Sequence, residues 1–412
     1  MKKWLLIVIV LLFVPYLYRP YALNLDGDTM TQLMDIVRLI DARWSFLLDP
    51  SAAYANPLVQ VLVVFHGIYR HVILFPILYI LDALGMGIRE ATLGVVFVGM
   101  GVVLTLIMYR LMKSIIGSER AWWWTALFAV IPIYALQVKG AWWHLFIYTF
   151  FLAGMAAEHR YLTEKKPQGY AWFCIAVGAY TLADPAFVFG YLWFALYAAV
   201  YFLREEGSVR RALYAFWRML RQWWTLVPVF ILVGMAAVTY VGARYFDAQF
   251  GMLARFLEKG AYVGFGGFGV VPHFLVQGMG LIGWVLFPLM LASAVWWVIA
   301  VARRRHVPPF VSTSALFVLC ASALILLAHG AGGAVYVLLI PGVVVVVAFV
   351  SQGKHRAFAT AGGALLLLLT YGQTLWYVTQ WSPPTRLMQR YSFIQSGEPC
   401  QALWCPFHLA EP

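Results

Sequence analysis

The sequence predicts an all-α, polytopic membrane protein with about 11 transmembrane helices. The chain has 412 residues, of which 63% are hydrophobic and only 11% are charged, and its mean hydropathy is +0.80. Soluble domains carry about 25% charged residues. Apolar runs close to the ~20 residues needed to cross a bilayer recur along the whole length. Runs such as "GALLLLLTYG" are continuous and lack the alternation of half-buried strands, so we expect helices.

The apolar segments divide the chain into one membrane domain and a short tail. We predict spans near residues 4–18, 91–112, 121–138, 141–157, 169–184, 186–203, 224–243, 274–301, 308–328, 333–350 and 357–378. The membrane domain then covers residues 1–378, and 379–412 form an outer tail. The first segment lacks a small-residue cleavage site, so we expect an uncleaved anchor.

The basic residues orient these spans. With the N-terminus in the cytoplasm, 18 of the 29 Lys and Arg residues fall in inner loops, together with only 5 of the 17 acids. This bias follows the positive-inside rule. The inner basic residues are Lys2, Lys3, Arg110, Lys113, Arg120, Arg160, Lys165, Lys166, Arg204, Arg210, Arg211, Arg218, Arg221, Arg303, Arg304, Arg305, Lys354 and Arg356. The net charge of +12 is therefore a topology signal, and we expect no nucleic-acid partner.

The run from Pro57 to Gly85 is long enough to span, which leaves two alternatives. If it spans, every later basic loop moves outside, against the charge rule. The polar residues and the proline that interrupt it favour an interfacial or re-entrant segment instead. These are His66, Arg70, His71 and Pro76.

The large outer segments are 20–90, 244–273 and the tail 379–412, and the first two carry the motifs of interest. The segment 20–90 holds "MTQLMDIVRLIDARW", whose apolar residues fall mostly on one helical side, as in helices that lie along a membrane surface. The segment 244–273 holds "GFGGFG", Gly264 to Gly269. It lacks the Gly-Lys-Ser/Thr ending of a P-loop, and both a gate over a groove and a plain flexible loop remain open.

The four cysteines fall into two pairs. Cys174 and Cys320 lie within predicted spans, where we expect core packing. Cys400 and Cys405 lie in the outer tail, where an oxidising periplasm favours a disulfide.

Asp26 and Asp28 are the first candidate catalytic residues, because they stand at the outer end of the first span and before the amphipathic stretch. Asp28 occupies a natural N-cap position, where a carboxylate accepts backbone N–H groups. A partly desolvated carboxylate at a bilayer edge is also a good general base for an acceptor hydroxyl or amine. Both roles remain open.

The stretch "LDGDTMTQLMDIVRLIDARW" resembles the GT-C superfamily of membrane glycosyltransferases, in particular a bacterial subgroup with an Asp-Asp-x-Met-Arg-like pattern. Asp26, Asp28 and Met30 match this pattern loosely, and Thr31 stands in place of its Arg. "GIREATLGVVFVGMGVVLTLIMYRLMKSIIG" is similar to the family's second span. "GAVYVLLIPGVVVVVAFV" is similar to its late Arg-Tyr-Leu-Leu-Pro element, without the Arg.

The resemblance implies an inverting transfer from a polyprenyl-phosphate-linked sugar to a glycan, lipid or protein acceptor at the periplasmic face of a bacterial inner membrane. Asp28 would be the base and Asp26 its neighbour. Membrane lipid would surround the donor's chain, and outer-face residues would contact its sugar or phosphate. Those candidates are His144, Asp184, Arg244, Arg255, Lys259 and His329. The sequence establishes no cofactor beyond the lipid-linked sugar donor that the resemblance implies; a divalent metal at Asp26, Asp28 and His144 is compatible with the ligand types, but no tight ligand spacing supports it.

Other functions stay open, among them other outer-face enzymes such as acyltransferases or lipid-linked polysaccharide polymerases. A transporter or flippase would place charges inside the spans, and the sequence-based spans are nearly free of ionisable residues. A non-catalytic scaffold of the same architecture agrees with the missing Arg near Tyr336 and with His144 in place of a family acid.

Overall fold

The computed structural model describes residues 76–86, 90–131, 134, 138, 144–183, 187–245, 283–327, 332–351, 365 and 367–375. All regular structure within these ranges is helical, and no strand occurs in them. The all-α prediction is therefore confirmed for the described part of the chain. The first predicted span, the amphipathic stretch, the Gly-rich segment and the cysteine-bearing tail lie outside it.

Ten helices of 12 residues or more have defined bounds in the described ranges. They are α1 (Glu90–Ile116), α2 (Ser118–Val130), α3 (His144–Glu164), α4 (Pro167–Ala183), α5 (Phe187–Glu206), α6 (Val209–Leu220), α7 (Leu226–Tyr245), α8 (Gly283–Ala302), α9 (Pro309–Leu327) and α10 (Gly332–Ser351). A single 3₁₀ turn, Trp223–Thr225, precedes α7. Residues 76–83 and 367–375 are also helical.

Two of the described helices are long and apolar enough to cross a membrane: Gly94–Ile116 within α1 and Val285–Ala302 within α8. Shorter apolar stretches occur at Trp223–Gly234, Pro309–Ala323 and Val337–Ser351. Both long helices coincide with predicted spans. The total of about 11 spans remains a prediction.

Helix α3 lies at the centre of the described bundle, because it contacts α1, α4, α5 and α10. Small residues bring these helices close. A Cβ added at Gly190 of α5 would lie 2.3 Å from Cε1 of Tyr180 on α4, so the ring fills the space that a side chain would need. Fully buried aromatic side chains such as Trp193 and Tyr197 fill the centre. The packing is that of a protein interior, in which small and large residues interlock.

Three inter-helix turns meet at one end of the bundle. The Lys165 ammonium lies 2.6 Å from Glu205 and joins the turn after α3 to the end of α5. Arg204, also at the end of α5, donates a hydrogen bond to the carbonyl of Val307 in the turn between α8 and α9. The sequence-based orientation requires these turns to share a side, and they do share one end of the bundle. We call this region the charged end; its residues are Arg160, Glu164, Lys165, Lys166, Arg204 and Glu205.

The structure corrects three details of the sequence-based map. Cys174 is buried as predicted, but Cys320 is exposed and takes no part in core packing. The span predicted at 141–157 continues as α3 to Glu164, and this extension buries Glu158, one of the five acids that the sequence-based map assigns to inner loops. The predicted inner loop that follows α5 contains the 12-residue helix α6.

Candidate functional site

Most of the predicted site lies outside the described residues. This holds for both predicted catalytic acids and for four of the predicted donor contacts, namely Asp26, Asp28, Asp184, Arg255, Lys259 and His329. Their roles remain predictions. For His144 and Arg244 the structure describes the backbone position within a helix.

His144 and Arg244 both lie at the end of the bundle opposite the charged end. His144 is the first residue of α3, whose last residue, Glu164, belongs to the charged end. At a rise of 1.5 Å per residue along the helix, His144 and Glu164 are about 30 Å apart. Gln222, just before α7, donates a hydrogen bond of 2.7 Å to the Tyr161 hydroxyl, so α7 starts near the charged end and carries Arg244 away from it. The two residues thus lie where the predicted orientation places the outer face.

A buried acid that the sequence analysis did not select lies inside the bundle. Glu158 of α3 has 0% exposure, and neither carboxylate oxygen has a hydrogen-bond partner in the structure. It lies six residues before Glu164, about 9 Å along the helix. An ionised carboxylate without partners in such a place costs several kcal/mol. Glu158 is therefore stable in this position as the uncharged acid, or as a carboxylate only when it is paired with a cation.

The residue after Glu158 leads into an aromatic cluster. His159 Nδ1 lies 2.6 Å from the Tyr197 hydroxyl of α5. The His159 ring packs edge-on against Phe310 of α9, with 5.2 Å between the ring centroids. Trp193 contacts both Tyr197 and Phe310 at centroid distances of 5.1 Å. We call Glu158, His159, Trp193, Tyr197 and Phe310 the buried cluster.

The buried cluster combines apolar walls with unused polar atoms. The indole Nε1 of Trp193 is buried and lacks a hydrogen-bond partner, as does the hydroxyl of Ser314, one turn along α9 from Phe310. A charge on Glu158 would act on the Tyr197 hydroxyl and on the Cys174 thiol of α4. Buried polar groups are normally paired. Three unsatisfied groups on neighbouring helices therefore mark this region as a candidate site for a small polar species.

The charged end, in contrast, is fully paired. Glu164 accepts hydrogen bonds from Lys166 and Arg160, at 2.9 and 3.1 Å, and these cations lower the pKa of its carboxyl below its usual range. Partial burial, the largest single effect, opposes the charge on Lys165, but the hydrogen bond to Glu205, the charge of Glu205 and the interactions with Tyr201 together outweigh it, and the pKa of Lys165 is raised. Because these pairs are largely exposed, each contributes little to stability. The charged end is a solvated network.

No group of three or more His, Cys, Asp and Glu side chains that could hold a metal ion occurs among the described residues. Comparisons of the chain with protein-family models, with curated proteins and with solved structures find no match.

Glu158 escaped the sequence analysis because "AGMAAEHRYLTEKK" looks like a span that ends in a charged loop. The only signal was an acid that follows an apolar run without a break.

Proposed function

We propose that the chain is a membrane glycosyltransferase that moves a sugar from a polyprenyl-phosphate donor to an acceptor at the periplasmic face of a bacterial inner membrane. The observation that carries the proposal is the pair Asp26 and Asp28, which stands between an apolar segment and an amphipathic stretch. The resemblance of that stretch to the GT-C superfamily supports the same function. About 11 spans, a cytoplasmic N-terminus and a periplasmic tail complete the proposal.

The surface of the described bundle supports a membrane location. Large apolar side chains point outward along helices that lie at its periphery, for example Phe230 on α7, which is 68% exposed, and Leu368, also 68% exposed. On α7, Leu226, Val229 and Val233 are exposed as well, and spacings of three and four residues place them with Phe230 in one stripe. Contiguous exposed apolar surface of this kind is unusual on a soluble monomer. Lipid acyl chains would cover such a surface. The positions of His144 and Arg244 at the end opposite the charged end agree with a periplasmic site for donor binding.

In the proposed reaction an acceptor hydroxyl or amine attacks the anomeric carbon of the sugar. The bond between that carbon and the phosphate oxygen breaks, and polyprenyl phosphate leaves with the bonding electrons. Asp28 takes the proton of the acceptor, and Asp26 orients the acceptor or tunes Asp28. His144, Arg244, Arg255, Lys259 and His329 are the candidates to balance the charge of the phosphate.

The test is the consumption of a polyprenyl-phosphate sugar, labelled in the sugar, by membranes that contain the wild-type chain or Asp28→Asn. Asn caps a helix about as well as Asp, so the exchange removes the base and spares the cap. We expect a loss of about a hundredfold or more in rate, with an unchanged thermal midpoint. Asp26→Asn, the matched control, should lose less. A wild-type rate in Asp28→Asn would leave Asp28 as a helix cap only.

A second candidate function, a lipid or polysaccharide transporter or flippase, is favoured by Glu158. An unpaired acid within a helical bundle is a common feature of proton and ion pathways. Transbilayer movement of a fluorescent polyprenyl phosphate in proteoliposomes separates the candidates. If the protein is a transporter, Glu158→Gln should lose transbilayer movement of the lipid and Asp28→Asn should keep it. If it is a glycosyltransferase, Asp28→Asn should lose sugar transfer and Glu158→Gln should keep it. A scaffold would show neither activity in the wild-type protein.

A further inference from the structure

Helix α6 presents three different surfaces along its 12 residues. One narrow side is buried against the protein, mainly α5, and consists of small or flexible side chains: Ala212, Ala215 and Met219. At 100° per residue these positions fall within a sector about 60° wide. The rest of the helix circumference carries the exposed side chains, so α6 is a peripheral helix of the bundle.

The second surface is apolar and exposed. Leu213 and Trp217 are 63% and 59% exposed, and Val209 lies on the same side, at the start of the helix. These three side chains are four residues apart, which is the spacing that makes one continuous stripe on a helix. No described element covers this stripe. Water is a poor environment for a leucine, a valine and a tryptophan side by side.

The third surface is basic. Arg210, Arg211 and Arg218 on α6 and Arg221 just after it are all exposed, and they occupy the sector between the apolar stripe and the buried side. The ion pairs found among the described residues involve other cations: Arg160, Lys165 and Lys166. Three arginines on α6 and a fourth directly after it therefore face outward with their charge available to an anionic partner.

The turn before α6 allows this placement. Gly207 has φ +64°, in the left-handed region that glycine adopts without strain, and its N–H bonds to the Leu203 carbonyl at the end of α5. Glycine at this position is a common way to end a helix. The chain then starts α6 within two residues, so α6 lies next to the charged end.

We propose that α6 lies along the membrane interface, with its apolar stripe among the acyl chains and its arginines on the phosphates of anionic lipids. The inference rests on the proposed membrane location, but not on catalysis. An apolar stripe beside a basic stripe is the arrangement that binds an anionic lipid surface. Tyr214, 70% exposed within the basic side, and Trp217 are of the aromatic type that is enriched at this depth.

Charge complementarity selects the lipid class. An anionic headgroup attracts juxtamembrane Lys and Arg residues, and each adjacent cation strengthens binding by up to about fivefold. A zwitterionic headgroup lacks this net attraction. A guanidinium also matches a phosphate with two parallel hydrogen bonds. We therefore expect α6 to prefer a lipid such as phosphatidylglycerol to phosphatidylcholine.

The first experiment measures how the full-length protein, reconstituted in bilayers, selects between spin-labelled phosphatidylglycerol and phosphatidylcholine. Wild-type protein should enrich the anionic lipid around itself. The variant that carries glutamine at positions 210, 211, 218 and 221 should lose much of this preference and approach the wild-type value at ~1 M salt, where screening is strong. The matched variant with lysine at the same positions keeps the charge and should keep the preference. Equal preference in the glutamine variant and the wild type would overturn the proposal.

The second experiment locates the helix. Single cysteines that carry a nitroxide replace Leu213, Trp217, Arg211 or Arg218 in a chain without its native cysteines. Oxygen, which concentrates in lipid, should be the main cause of spin relaxation for labels at positions 213 and 217. A water-soluble nickel chelate should be the main cause for labels at positions 211 and 218. Relaxation of all four by the chelate alone would place α6 in water, for example as a surface for an acidic protein, and would refute the proposal. Neither readout requires sugar transfer, so an inactive Asp28→Asn protein serves equally well.

Discussion

Replacing Glu158 with methionine should stabilise the protein, because the carboxyl is buried and unpaired. Even the uncharged acid buries an O–H donor and a carbonyl acceptor that have no partner in the structure. An unsatisfied buried polar group costs about 1–3 kcal/mol. Methionine has a similar length and a flexible side chain that adapts to irregular space. We expect Glu158→Met to raise the free energy of unfolding by about 1–3 kcal/mol.

The assay is thermal unfolding of the purified full-length protein in one detergent, with Glu158→Gln and Ser314→Ala as matched variants. The glutamine keeps the size and the unsatisfied polar atoms, so it should change the midpoint little. Ser314 also has a buried hydroxyl without a partner, and alanine at this position should give a smaller gain than Glu158→Met. A clear loss of stability in Glu158→Met would mean that the carboxyl has a partner in the native protein, and would refute the reasoning.

Two further predictions concern a close contact between helices and a buried hydrogen bond. Gly190→Ala should destabilise the protein by about 1–3 kcal/mol, because the new Cβ would lie 2.3 Å from Tyr180. Gly234→Ala, where nothing lies within 4 Å of an added Cβ, should be neutral or stabilising, and similar losses at both positions would contradict the packing argument. Tyr197→Phe should cost about 1–3 kcal/mol in thermal unfolding, because it removes the hydrogen bond to His159; an unchanged midpoint would show that this bond contributes nothing.

The sequence predicted the helical elements well where apolar runs are long. The segment predicted as a span at 91–112 forms α1, and the segment predicted at 186–203 forms α5 to within three residues, both as helices. A run of about 20 apolar residues carries its own signal, independent of its neighbours. The prediction that the turns after α3, α5 and α8 share one side also came from sequence, because loop charge reflects orientation.

The sequence-based map failed where burial depends on neighbouring helices. The sequence places Glu158 in a loop, because its charge and the basic residues after it suggest exposure to water. In the structure α4, α5 and α9 surround this part of α3 and exclude water from the carboxyl. Cys320 and Cys174 have similar sequence surroundings, yet only Cys174 turns inward. Such differences depend on which face of a helix meets a partner. Single-sequence periodicity is weak in helices that are apolar all round.

Helix α6 could have been found from the sequence. Val209, Leu213 and Trp217 recur every four residues among arginines, which is an amphipathic helical pattern. It was missed because loop charge was used only to set the orientation. The candidate catalytic acids are a different case. Asp26 and Asp28 lie outside the described residues, so their prediction rests on the sequence pattern alone.

The central claim is that the acidic pair and the charged end face opposite sides of the membrane. The most direct measurement is labelling of intact cells with a membrane-impermeant thiol reagent, using single cysteines in a chain without its native cysteines. Ser51→Cys reports the segment that carries Asp28, and Gln168→Cys, exposed in the first turn of α4, reports the charged end. We expect labelling at position 51 in intact cells and at position 168 only after permeabilisation. Labelling of both positions, or of position 168 alone, in intact cells would contradict it.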